Sequence, residues 1–110
     1  MPHVPELSPA EFYNRWPESE RGSVVLLDVR EPAELAVARV REAIHIPMRE
    51  IPMRLGELDA SKPLVVMCHT GVRSRRVAEY LLRSGFDEVY NLAGGIDAWS
   101  REINSDVPSY

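Results

Sequence analysis

A chain of 110 residues, 45% apolar and 27% charged, has the size and composition of one folded domain rather than of two domains or a disordered segment. Its formal net charge of -4 argues against a general nucleic-acid or anionic-membrane surface, since both partners are polyanions. A single cysteine rules out an internal disulfide, and the stretch from Met1 to Glu11 has no apolar run suited to a signal peptide or membrane span, so a cytoplasmic protein is expected.

In chain order, Ser8-Pro9-Ala10-Glu11 predicts a helix start, with Ser8 as N-cap, Pro9 at the first helical position and Glu11 completing a capping box. That helix should run to about Trp16. The apolar, β-branched run Val24-Val25-Leu26-Leu27, continued by Asp28-Val29, predicts a strand buried on both faces and hence a parallel sheet. Pro32 to Arg39 has the composition of a short helix, Ala43 to Ile46 reads as a short strand stopped by Pro47, and Ile51 to Leu58 as another short helix. Leu64-Val65-Val66-Met67-Cys68 repeats the buried-strand pattern and leads into a glycine-containing turn. From Ser74 to Ser84, Val77, Tyr80 and Leu81 share a helical face while Arg75, Arg76, Glu79 and Arg83 point away, and Gly85 supplies a C-cap. Val89 to Leu92 is a last short strand, Gly94-Gly95 a turn, and Ile96 to Arg101 a final amphipathic helix whose apolar face, with Trp16 and Trp99, is assigned to packing. Alternating strands and helices give an α/β domain with a mostly parallel sheet.

The segment Cys68-His69-Thr70-Gly71-Val72-Arg73-Ser74 carries the candidate chemistry. It leaves a buried strand, turns through a glycine and enters a helix, so several backbone N–H groups should converge on one small concavity, a setting for an anion. A cysteine there is expected to titrate well below the ordinary value of about 8.5, which makes a thiolate nucleophile. The competing reading is a small buried hydrophobe ending a strand. Arg73 closes the loop and is expected to donate to loop carbonyls, whereas Arg75 and Arg76 read as a solvated helix face. His3, His45 and His69 lack ligand spacing, so no metal site is expected; neither a Ser-His-Asp arrangement nor a phosphate-binding glycine motif is present.

Several of these segments resemble the rhodanese-like sulfurtransferases in single-domain form, over Ser8 to about Trp99. Leu27-Asp28-Val29-Arg30-Glu31 is similar to the family's Asp-Val-Arg-Glu signature, Ala43-Ile44-His45-Ile46-Pro47 to its Ala-x-x-Ile-Pro segment, and Gly94-Gly95-Ile96-Asp97-Ala98-Trp99 to its Gly-Gly-x-x-x-Trp ending. The resemblance implies one rhodanese-like domain over residues 1–110, with a core of about 8–103. It also implies a central, mostly parallel five-stranded sheet flanked by helices on both sides.

On the same resemblance, Cys68 forms a persulfide, His69, Thr70, Gly71, Val72 and Arg73 bind substrate, and Asp28, Arg30 and Ser74 support the site. Asp28 and Arg30 are expected as buried pairs that brace it. The donor would be a small sulfur anion such as thiosulfate, and the acceptor cyanide in vitro or a thiol or sulfur-carrier protein in the cell. No cofactor is implied. Where the family often has Gly-His-Ile-x-Gly-Ala, this chain has Ala38-Arg39-Val40-Arg41-Glu42-Ala43, which predicts a reshaped connection before the short strand. Two rivals stay open: a phosphatase or arsenate reductase, and a non-catalytic binding module. Related phosphatases have a loop one residue longer than the six from Cys68 to Arg73, and the binding modules commonly lack the cysteine.

Overall fold

The computed structural model describes residues 3–110; Met1 and Pro2, which fall within the expected domain and within the leader reading, lie outside the described residues. Five strands, β1 (Glu6–Leu7), β2 (Val25–Asp28), β3 (Ile44–His45), β4 (Leu64–Met67) and β5 (Val89–Leu92), form one sheet in the order β1-β5-β4-β2-β3. All its pairings are parallel, with Leu27 opposite Val66 and Val66 opposite Asn91. Four α-helices, α1 (Pro9–Arg15), α2 (Pro32–Val37), α3 (Val72–Arg83) and α4 (Gly95–Glu102), follow β1, β2, β4 and β5 in turn, while β3 and β4 are joined through 3-10 turns.

Side chains of a strand alternate between faces, and a sheet covered on both sides therefore needs apolar residues at every position. In β4, Leu64 and Val66 join the core beneath α3 with Val77, Ala78 and Leu81, while Val65 and Met67 join the opposite core with Phe12 of α1 and Ile96 and Trp99 of α4. Trp16 and Trp99 are both buried. The capping box at Ser8 is formed as expected, with the Glu11 amide donating to Ser8 Oγ and the Ser8 amide to Glu11 Oε1.

The boundaries differ from the sequence expectations in several places, and α2 stops at Val37 rather than Arg39 because Ala38 is already extended. β1 was not foreseen, because two residues carry no period; they pair only with Asn91 and Leu92. The expected helix Ile51 to Leu58 is instead two 3-10 turns, Met48–Met53 and Leu55–Glu57, the first holding Pro52, which has no amide proton for an α-helical bond. A further 3-10 turn spans Glu18–Ser23. α3 begins at Val72 rather than Ser74, so Val72 and Arg73 lie in its first turn.

The connection from Ala38 to Ala43 needs no glycine here. Ala38 is extended (φ -155°) and buried, Val40 fills the core, and Glu42 pairs with Arg21.

Candidate active site

Cys68 follows β4 directly and shares the Leu64 and Val66 face, so alternation turns its thiol toward the N-terminus of α3, where it is 1% exposed. The chain then turns through His69, Thr70 and Gly71. Gly71 has φ 105°, a left-handed conformation that L residues rarely adopt, and serves as the N-cap of α3. Its amide donates to Cys68 Sγ at 3.1 Å.

The Ser74 hydroxyl lies 3.3 Å from Sγ and 2.5 Å from Asn91 Oδ1. A hydroxyl has one proton, so Ser74 can serve the thiolate or Asn91 but not both at once. When Cys68 is protonated its S–H can donate to Ser74 Oγ while Ser74 donates to Asn91; when it is ionised, the same geometry lets the hydroxyl donate to sulfur instead. Burial is the largest single influence on Cys68 and pushes the thiol up. The Ser74 hydroxyl and the backbone amides of Ser74, Gly71 and Thr70 together outweigh it, and hold the thiol below its ordinary value.

The floor of the loop is backbone. Ile96 N donates to Cys68 O at 2.9 Å and Asp97 N to His69 O at 3.2 Å, which seats the loop on the N-terminus of α4. A Cβ at Gly95, whose φ is 59°, would stand 2.4 Å from Cys68 O and 2.5 Å from His69 O. The Gly94-Gly95 turn is thus a condition of close approach as well as a bend. Asn91, 2% exposed on β5, donates through Nδ2 to Gly71 O at 2.9 Å and to the Glu6 carboxylate at 3.1 Å.

The rim of the loop is made of side chains. Arg73 donates Nη1 and Nη2 to Glu34 at 2.7 and 2.8 Å, and not to loop carbonyls as the sequence suggested. This forked pair, opposed by partial burial, lowers the Glu34 carboxyl to about 2 and raises the Arg73 guanidinium further above its ordinary range. Val72 points outward and is 65% exposed at the mouth of the loop. A groove of about 480 Å³, lined by Thr70, Gly71, Val72, Arg75 and Arg76 among others, opens beside it. Arg75 and Arg76 are exposed.

Asp28 and Arg30 form a buried pair, Nη2 to Oδ2 at 2.7 Å, and Arg30 also donates to Ala38 O at 2.8 Å. Asp28 is paired with Met67 in register and so lies on the sheet face opposite Cys68. The pair braces the C-terminal edge of the sheet from the other side and does not touch the thiol.

Of the residues His69 to Ser74, Thr70, Gly71 and Ser74 turn polar groups toward Cys68 Sγ, whereas Val72 faces outward and the Arg73 side chain turns to Glu34. Among the described residues no group of three or more His, Cys, Asp or Glu could hold a metal ion. Sequence reasoning missed Asn91, Glu34 and Tyr110. Asn91 had a signal, a polar residue inside a short strand of a buried sheet; Glu34 and Tyr110 had none.

A family model described as a rhodanese-like domain matches residues 8–102. A curated sulfurtransferase from Allochromatium vinosum is 37% identical over 98 residues, which span 89% of this chain and 90% of the relative. The crystal structure of a rhodanese-like domain protein from Staphylococcus aureus superposes with TM-score 0.79 at 33% identity, over 87% of this chain and 91% of that one. A NAD-dependent persulfide reductase from A. fulgidus aligns with TM-score 0.62 at 38% identity, over 70% of this chain but only 14% of the larger enzyme.

Proposed function

The chain belongs to the rhodanese-like domain family, and on that premise we propose that it is a sulfurtransferase carrying sulfane sulfur as a persulfide on Cys68. The family and its curated sulfurtransferase relative support the transferase role. The observation that carries the persulfide reading is the environment of Sγ, with the Gly71 amide at 3.1 Å, the Ser74 hydroxyl at 3.3 Å and a thiol held toward its anionic form.

In the proposed first half-reaction the Cys68 thiolate attacks the outer sulfur of a donor such as thiosulfate. A new sulfur–sulfur bond forms at Cys68, the donor's sulfur–sulfur bond breaks, and sulfite leaves with its electron pair. The persulfide sulfur then carries the negative charge in the concavity formed by the loop amides. In the second half-reaction an acceptor attacks that outer sulfur and Cys68 departs as the thiolate, so the enzyme is regenerated without a redox cofactor. Cyanide would yield thiocyanate in vitro; in the cell the acceptor would be a thiol or a sulfur-carrier protein. Among the described residues no helix is long and apolar enough to cross a membrane.

The test is intact-mass measurement after incubation with thiosulfate. A gain of one sulfur that cyanide removes, absent in Cys68→Ser, is expected; an unchanged mass would sink the persulfide assignment.

A further inference from the structure

The segment 104–110 after α4 returns to the site. Val107 is buried in the core beside α4, its carbonyl accepting from Ser100 Oγ, and with Pro108 it lines a cavity against Leu35, Ala36 and Val37 of α2. The segment thereby reaches the catalytic end of the sheet, where Tyr110 stacks flat on His69, with ring centroids 3.9 Å apart and planes 5° from parallel. The Tyr110 hydroxyl donates to Glu34 Oε1 at 2.8 Å and accepts from Arg30 Nη1 at 2.8 Å.

One side chain therefore joins both ends of the loop. It covers His69, the residue after Cys68, and it shares Glu34 with Arg73, the residue that closes the loop. Its anchor, Arg30, is 0% exposed and locked by Asp28, so the hydroxyl is tied to the rigid core while 39% of Tyr110 remains exposed. At the edge of the His69 ring, Nε2 is buried without a hydrogen-bond partner among the described residues and stands 4.0 Å from Asp97 Oδ1. The stack, more than any polar bond at that nitrogen, holds the imidazole in place.

We propose that Tyr110 is a positioning residue that sets the size of molecule able to reach Cys68: seated, it keeps the loop closed around small anions, and a bulky thiol enters only when the ring is displaced. The idea rests on the sulfurtransferase reading for its biological meaning but not for its geometry. Displacing the ring breaks one aromatic stack and two hydrogen bonds to charged groups, which is enough to change access by an order of magnitude.

The experiment compares the rates at which N-ethylmaleimide and a fluorescein-bearing maleimide modify Cys68, two reagents that share a reactive group and differ in bulk. In Tyr110→Ala the ratio of the bulky to the small rate should rise about tenfold. Tyr110→Phe, which keeps the ring and loses both hydroxyl bonds, should give a smaller rise. In the unsubstituted protein the stack should shift the His69 ring proton resonances upfield, an effect lost in Tyr110→Ala. An unchanged ratio, an equal rise for both reagents, or His69 resonances without a ring-current shift would overturn the proposal. No sulfur donor is present in these measurements, so a protein that fails the thiosulfate mass test could still pass them, and the reverse.

Discussion

The floor and the rim of the Cys68 loop are built from different materials. Below, buried groups hold the loop backbone: amides of α4 hold Cys68 O and His69 O, Gly95 permits the approach, and the buried Asn91 side chain holds Gly71 O. Above, partly exposed side chains meet one another, in the Arg73–Glu34 pair and the Tyr110–His69 stack. Backbone contacts leave no rotamer freedom and are shielded from salt, whereas exposed pairs are screened and lose side-chain entropy to form. The floor therefore fixes the position of the loop whose amides, with the Ser74 hydroxyl, set the acidity of the thiol, and the rim governs what approaches it. Substitutions beneath the loop should damage folding and chemistry together, and substitutions above it should alter access at little cost in stability.

The largest effect is expected at the buried brace. Asp28→Ala leaves the Arg30 guanidinium buried without its partner, which should cost about 3–5 kcal/mol in urea unfolding. Asp28→Leu combined with Arg30→Met should recover much of that loss. A double variant no more stable than Asp28→Ala would show that the pair does more than balance charge.

Gly95→Ala comes next. A left-handed backbone combined with a Cβ 2.4 Å from Cys68 O forces the loop or α4 to move, at about 2–4 kcal/mol by denaturant titration. Sulfur transfer should fall with it. Full activity with unchanged stability would break the distinction between floor and rim.

Much of this floor was legible in the chain. The apolar run of β4, the glycine after Cys68 and the amphipathic pattern of α3 place the thiol at a strand end facing a helix start, and those are local signals. The start of α3 at Val72 was misjudged by two residues because Gly71 caps the helix by its backbone conformation, without a side-chain signature. Of the rim, His69 and Arg73 were named from the sequence but their partners were not. Glu34 and Tyr110 lie 39 and 76 residues from their partners Arg73 and Glu34, and only the packed sheet brings them together. The Gly94-Gly95 turn was read correctly as a turn, but its contact with Cys68 O belongs to tertiary structure.

Two smaller effects sharpen the comparison. Ser74→Ala removes a donor to the thiolate and should slow alkylation of Cys68 at neutral pH about threefold to tenfold, with the fold retained. An unaltered rate would assign the acidity to the backbone amides alone. Glu34→Gln should cost less than about 1 kcal/mol at neutral pH, since the pair is partly exposed and screened. The sign follows from the depressed carboxyl. With Glu34 lowered from 4.5 to about 2, its contribution is complete above pH 4.5 and is lost as pH falls toward 2, where variant and parent should converge. A stability gap that persisted at that pH, or that resisted high salt, would place Glu34 with the floor.

The most direct test of the central claim is the titration of Cys68 itself, followed by thiolate absorbance in the protein without any donor or acceptor. Burial alone would raise the midpoint, and the amides of Ser74, Gly71 and Thr70 with the Ser74 hydroxyl lower it, so a midpoint below the ordinary cysteine value of about 8.5 is predicted. A midpoint at or above that value would mean that the loop does not stabilise a thiolate and that Cys68 is a buried, inert residue at the end of a strand.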